Sequence, residues 1–213
     1  MQKSLQMMTR ILSGLLLLGL FSGCYVFSSY QNASILERGG LEVTPSYSTV
    51  NQIYDTGFDK VQDNYGIQVG YGLAEDLNLR ARYETVSFRS GSRITFLALG
   101  PKLGRPGGKI AFDIPFGLFI GEDVDVSESY QIHPTLLFSY PPTRMFETTA
   151  AVKLLYIFKE VRDECLLAIN LGCGISHAPE RYWLRPEVGW SYDFDHGWIN
   201  MYFGVGLSLM LLK

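Results

Sequence analysis

Residues able to do chemistry are sparse in this 213-residue chain. His133 precedes Thr135 and Ser139, so a base and two hydroxyls share one stretch. Acyl transfer would need a hydroxyl held against the imidazole and a third group orienting the ring. Ser176-His177 and Asp195-His196 also pair a histidine with a nucleophile or an orienting carboxylate, but both fall in predicted turns. Arg80, Arg82 and Glu84 alternate along one run, and Arg185 and Glu187 along another. Such charges either frame a ligand site or pair across strands, and the second use is the commoner one. Glu122-Asp123-Val124-Asp125 offers carboxylates, yet it lacks the glycine and closing glutamate of a calcium loop. Gly104-Arg105-Pro106-Gly107-Gly108 and Tyr140-Pro141-Pro142-Thr143 open no helix, so they suit turns rather than phosphate binding. Nothing here has metal-ligand spacing. The expectation is no catalytic residue, no metal and no cofactor, with His133 a polar residue of an enclosed interior.

The elements that must position these residues alternate with period two, which is the strand signal. The clearest runs are Tyr65 to Leu73, Leu77 to Glu84, Ile110 to Ile120, Tyr130 to Tyr140, Phe146 to Phe158, Cys165 to Cys173, Tyr182 to Tyr192 and Ile199 to Leu209. Two weaker runs, Gly40 to Val50 and Arg93 to Leu103, bring the count to ten; the faces of the second cannot be assigned. Asn51 to Gln62 reads as the longest loop. Ten strands with short connections predict an all-β, antiparallel, up-and-down barrel, with eight or twelve strands as the alternatives. Closure removes exposed sheet edges, and an even count returns both termini to one side.

Sidedness decides what kind of barrel this is. The apolar faces of the eight clear strands carry no Asp, Glu, Lys or Arg. The chain as a whole is 18% charged and 47% hydrophobic, with 13 tyrosines, 13 phenylalanines and 22 glycines. A lipid-facing Arg or Lys costs roughly 2–4 kcal/mol at the bilayer midplane, so a charge-free outer band is what a transmembrane β-barrel requires. Tyr130 and Tyr140, like Tyr182 and Tyr192, bracket their strands at the spacing of two aromatic girdles. The opposite faces carry Glu42, Arg80, Arg82, Glu84, Lys109, Asp113, His133, Glu147, Lys153, Arg185 and Glu187 among many glycines. Five acids and five bases in that set predict a narrow lumen filled by paired charges, rather than a wide porin-like pore of one sign. A net charge of −3 gives no reason to expect nucleic acid.

Residues 1–23 have the build of an export signal. Lys3 and Arg10 precede an apolar run, Ile11 to Phe21, too short for a confident membrane span. Its ending, Phe21-Ser22-Gly23-Cys24, resembles the lipobox of bacterial lipoproteins. That resemblance implies acylation of Cys24, and Tyr25 after it implies sorting to the outer membrane. Residues 24–38 then form a lipidated N-terminus and polar linker, and 39–213 the barrel. Cys165 and Cys173 lie in one strand roughly 27 Å apart at about 3.4 Å per residue, too far for a disulfide, which needs Cα atoms within about 7 Å.

Residues 39–213 resemble the small bacterial outer-membrane β-barrel proteins. The closing run, Tyr202-Phe203-Gly204-Val205-Gly206-Leu207-Ser208-Leu209, is similar to the signal read by the outer-membrane insertion machinery, with Leu209 where an aromatic is usual. The resemblance implies outer-membrane lipid and that machinery as partners, and a lipid anchor on the periplasmic side. The expected function is a non-enzymatic outer-membrane barrel with a structural, adhesive or small-solute role. The first alternative is a lipid-anchored soluble periplasmic barrel carrying a hydrophobic ligand; the second is a lipid-modifying outer-membrane enzyme.

Overall fold

The computed structural model describes residues 26–54, 57–121, 124–159 and 163–212. Cys24, the export signal, Glu122 and Asp123 lie outside the described residues. Twelve strand segments follow in order: β1 (Leu41–Tyr54), β2 (Gly57–Ala74), β3 (Leu77–Phe88), β4 (Arg93–Leu103), β5 (Ile110–Asp113), β6 (Phe116–Ile120), β7 (Gln131–Ile132), β8 (Thr135–Thr143), β9 (Phe146–Ile157), β10 (Glu164–Ile175), β11 (Tyr182–Asp193) and β12 (Ile199–Leu212). β5 continues into β6, and β7 into β8, so these segments make a ten-stranded antiparallel barrel. It closes through β1 with β12, where Tyr47 faces Val205.

Both interruptions occur at proline, which has no N–H to give to a ladder. β5 and β6 part at Ile114-Pro115, and β7 and β8 at His133-Pro134. Their neighbours bridge the gaps: Ile114 N donates to Pro101 O (2.9 Å), His133 N to Pro115 O (2.9 Å) and Leu154 N to Pro134 O (3.0 Å). Gly100 is needed opposite the first break, since a Cβ there would overlap the carbonyl of Ile114. The two uninterrupted strands predicted for these regions are therefore corrected to strands interrupted at proline.

The long loop predicted at Asn51 to Gln62 is also corrected. β1 and β2 keep pairing to their tips, with Gln52 opposite Asp59 and Tyr54 opposite Gly57. Gly57 has φ +145°, a conformation in which a side chain is strained, and it starts the return strand. On the β3 side the hairpin runs beyond the last pair, Gln62 opposite Phe88, while β12 accompanies it as far as Ile53 opposite Ile199; Phe58 is strongly exposed near its tip.

Faces follow the alternation. Phe112 is 40% exposed whereas Asp113 beside it is 4% exposed, and the same switch separates Leu79 from Arg80. β4 is resolved too: Leu97, Leu99 and Leu103 point outward, while Ile94, Phe96, Ala98 and Lys102 point in. Isoleucines, leucines and aromatics cover the outside of the wall, which is the surface an acyl-chain solvent demands and water does not. Ile169, outward at the middle of β10, tests this. Ile169→Arg is expected to lower unfolding stability in lipid vesicles by about 2–4 kcal/mol, measured by urea titration. A change within a few tenths of a kcal/mol would remove the lipid-facing assignment.

Candidate functional site: a lumen occupied by the amino-terminal segment

The barrel interior holds three layers. At the mouth bounded by the β3–β4 turn and the 121–129 loop, the inward residues are apolar: Val86, Ile94, Phe96 and Phe119 in one cluster, and Val50, Leu155, Ile157, Leu166 and Tyr202 in another. The middle is ionic. Near the opposite mouth, formed by the tight turns, Ala111, Leu137 and Ala151 make a small third cluster. Residues 26–38, within the segment expected to be a polar linker, run through all three. Val26, Phe27, Ser28, Ser29, Tyr30, Gln31, Ala33 and Ile35 are buried.

Among the described residues, three ion pairs form directly between lumenal side chains of the wall. Arg80 Nη2 lies 2.8 Å from Glu42 Oε1, Arg82 Nη2 lies 2.6 Å from Glu84 Oε2, and Arg185 Nη1 lies 2.5 Å from Glu147 Oε1. Two acids and two bases of the same layer, Glu187, Asp113, Lys102 and Lys153, are instead met by the segment. Lys153 Nζ donates to the carbonyls of Phe27 (3.0 Å) and Ser28 (2.9 Å). Lys102 Nζ donates to those of Asn32 (2.7 Å) and Ser34 (3.0 Å). Glu187 accepts from the amides of Ser29 (2.7 Å) and Tyr30 (2.9 Å), and from the Tyr202 hydroxyl. The Gln31 amide donates to Asp113 Oδ2 (3.0 Å). A buried charge without a partner costs several kcal/mol, so these contacts supply what the wall alone leaves unmet.

Most of this recognition addresses backbone. Arg82 Nη1 donates to Ser28 O (2.6 Å), Gln68 to Ser29 O (3.1 Å) and Asn170 to Phe27 O (2.9 Å), while Ala33 N donates to Ser139 Oγ (2.7 Å). Successive N–H groups of Ser29 and Tyr30 converge on one carboxylate, the arrangement of a backbone nest. Tyr30 has φ +50°, where a tyrosine is strained. Its ring lies in a groove made by Gly204 and Gly206: a Cβ at 204 would overlap the Tyr30 hydroxyl, which donates to Tyr47 O (3.0 Å). These two inward glycines thus make room for a particular side chain. A cavity of about 20 Å³ remains among Gln31, Gln68, Arg82, Asp113, His133 and Lys153. It is large enough for about one water and too small for a solute.

The structure also places each predicted site residue. Glu42, Arg80, Arg82, Glu84, Asp113, Glu147, Lys153, Arg185 and Glu187 all face the lumen. Lys109 does not, and that assignment is corrected. It precedes β5 in an exposed turn, where its ammonium stands over the Tyr140 ring, 5.4 Å from the centroid. Lys102 takes its place, hidden from sequence reasoning by the unassigned faces of β4, so the balance of five acids and five bases is kept. His133 is buried, with Nε2 2.5 Å from Gln131 Oε1 and its ring stacked on Phe96. Thr135 Oγ1 donates to the His133 carbonyl and Ser139 Oγ is taken by Ala33 N, so neither hydroxyl is held by the imidazole. His196 pairs with Asp193 in a turn, and Ser176 Oγ bonds the Tyr182 carbonyl. Asp125 caps the short helical turn Val126–Glu128. Donation from the Ser127 hydroxyl and amide holds its carboxyl below the usual carboxylate range. Among the described residues no cluster of His, Cys, Asp and Glu is placed to hold a metal. Cys165 and Cys173 are both free thiols of β10.

Sequence reasoning missed the segment because residues 26–38 have no period. One signal was available. Val86, Leu155 and Leu166 sit on the polar parity of their strands, and apolar residues facing a lumen need something apolar to meet.

A closed barrel with an apolar exterior and an ionic interior defines a transmembrane β-barrel of the bacterial outer-membrane type. No protein family and no curated protein matches this sequence. Solved structures similar to it include the translocator domain of the autotransporter NalP from Neisseria meningitidis (12% identity, 97% of this chain and 95% of that one, TM-score 0.46). Neisserial surface protein A is another (10% identity, 79% and 96%, TM-score 0.39), and Ail, the attachment invasion locus protein of Yersinia pestis, a third (12% identity, 82% and 99%, TM-score 0.38). Identities this low transfer no function.

If Glu187 anchors the segment, removing its carboxylate strands two buried amides. Glu187→Ala is expected to cost about 1–3 kcal/mol in urea unfolding, with Glu187→Gln between it and the parent because one acceptor oxygen is kept.

Proposed function

We propose that this protein is a non-enzymatic outer-membrane barrel of structural or adhesive role, with a lumen sealed by its own residues 26–38. The observation carrying this reading is the set of four ionic wall residues, Lys102, Lys153, Asp113 and Glu187, bonded to that segment. A pore for solutes needs unfilled volume, and the filled lumen argues against the small-solute role. The apolar exterior likewise argues against a soluble carrier with a greasy interior. His133, held by Gln131 and Phe96, gives no support to a lipid-modifying enzyme. Within the proposal, Cys24 is acylated, and β12 is the strand read by the insertion machinery during assembly.

In planar bilayers the intact protein is expected to be silent, and the Lys153→Ala/Glu187→Ala double variant to show openings. Steady conductance of the parent would restore the solute-pore reading. Metabolic labelling with palmitate is expected to mark the parent and to be lost in Cys24→Ser; equal labelling of both would remove the lipoprotein assignment.

A further inference from the structure

The two ends of the lumenal segment lie at opposite mouths of the barrel. Its carboxyl-terminal end sits among the tight turns: Ile35 N donates to Arg105 O (3.3 Å), Gly107 N to Ser34 Oγ (2.9 Å) and Gly39 N to Gly72 O (2.8 Å). Its amino-terminal end sits at the other mouth. Val26 packs in the cluster of Val86, Ile94 and Phe119, against which Phe88, at the end of β3, and Val124, just before the Val126–Glu128 turn, are also packed. Phe27 packs nearby with Val50, Ile157 and Tyr202, beneath the β1–β2 hairpin. Val26 to Ile35 is nine residue steps, roughly 30 Å of extended chain at about 3.3–3.6 Å each, comparable with an apolar band of about 25 Å.

From this direction of travel we propose that the chain is threaded through its own barrel, presenting its amino-terminal end at the loop mouth, opposite the mouth where β1 begins. The order of contacts supports it. Lys153 and Asn170 hold Phe27, Glu187 holds Ser29 and Tyr30, Asp113 holds Gln31, and Lys102 holds Asn32 and Ser34. Each step along the segment is fastened to the wall, so the path cannot double back without breaking buried ionic contacts. Residue 24 is two positions ahead of Val26, within about 7 Å of it by covalent reach. A return to the turn mouth would take about nine further residues through a lumen that is already filled.

The consequence for the lipid rests on the proposed acylation of Cys24. An acyl chain there belongs to the leaflet on the loop side, not to the leaflet beside the turns where the periplasmic anchor was expected. Threading itself does not depend on the lipid.

The test uses the full chain carrying a short polar epitope at one of three places: directly after Cys24, within Val126–Glu128, or at Pro106-Gly107. Antibody binding is read on intact and on permeabilised cells, with heat-modifiable gel migration checking that each barrel is folded. The epitope after Cys24 is expected to be reached in the same preparation as the Val126–Glu128 epitope, and the Pro106-Gly107 epitope in the other. Grouping with Pro106-Gly107 overturns threading. A second measurement avoids any insertion. A Cβ added at Gly206 would lie 3.0 Å from the Tyr30 Cβ, so a small outward shift of about half an ångström reaches the Cβ–Cβ distance of a disulfide. Tyr30→Cys/Gly206→Cys in a Cys165→Ser/Cys173→Ser background is expected to cross-link in most molecules in the membrane, and failure to cross-link overturns the path. Absence of palmitate labelling in the protein that retains Cys24, with unchanged epitope grouping, would refute the acylation while leaving threading in place.

Discussion

The constraint that organises this molecule is that a charge enclosed by a membrane barrel has to be matched inside that barrel. Lipid offers no hydrogen bonds outside the wall, and the lumen is too narrow to be an aqueous phase of its own. Three wall carboxylates are matched by guanidinium groups. The remaining four charges are matched by residues 26–38, three through peptide groups and Asp113 through the Gln31 side-chain amide, so the wall and the segment inside it form one electrostatic unit.

That unit explains features that look unrelated. Gly204 and Gly206 leave the volume that the Tyr30 ring occupies. Tyr30 tolerates its left-handed backbone because the adjacent amides share the Glu187 carboxylate. Leu155, Leu166 and Val86 break the polar parity of their strands at the level where Val26 and Phe27 arrive. The proline breaks after Ile114 and His133 lie beside the ionic layer. There the ladder is completed by carbonyls of Pro101, Pro115 and Pro134, which need no N–H of their own. A barrel with an open lumen would have no use for this combination.

The arrangement also gives the segment a direction. Its contacts form a graded series, apolar at the loop mouth, ionic in the middle and small-residue at the turns. Because the wall mainly grips backbone, it specifies a path for the chain more than a sequence. Function is then to be sought at the surfaces the barrel presents, with the β1–β2 hairpin and the loop mouth the most distinctive of them.

What could be read from residues alone is whatever a strand decides locally. Period-two alternation, the charge-free outer face and the identity of nearly every lumenal charge are properties of a few adjacent residues, each tested separately against lipid. Lys102 and Lys109 show the edge of that method: where β4 alternates poorly and a turn intervenes, parity alone misassigned one lysine and missed the other. The filling of the lumen is different in kind. Ser29 and Glu187 are 158 residues apart, Lys153 and Phe27 126 apart, and a segment without periodicity carries no mark of the partners that will enclose it. Only closure of the barrel brings those partners together around it, so the wall belongs to the sequence and its contents to the tertiary structure.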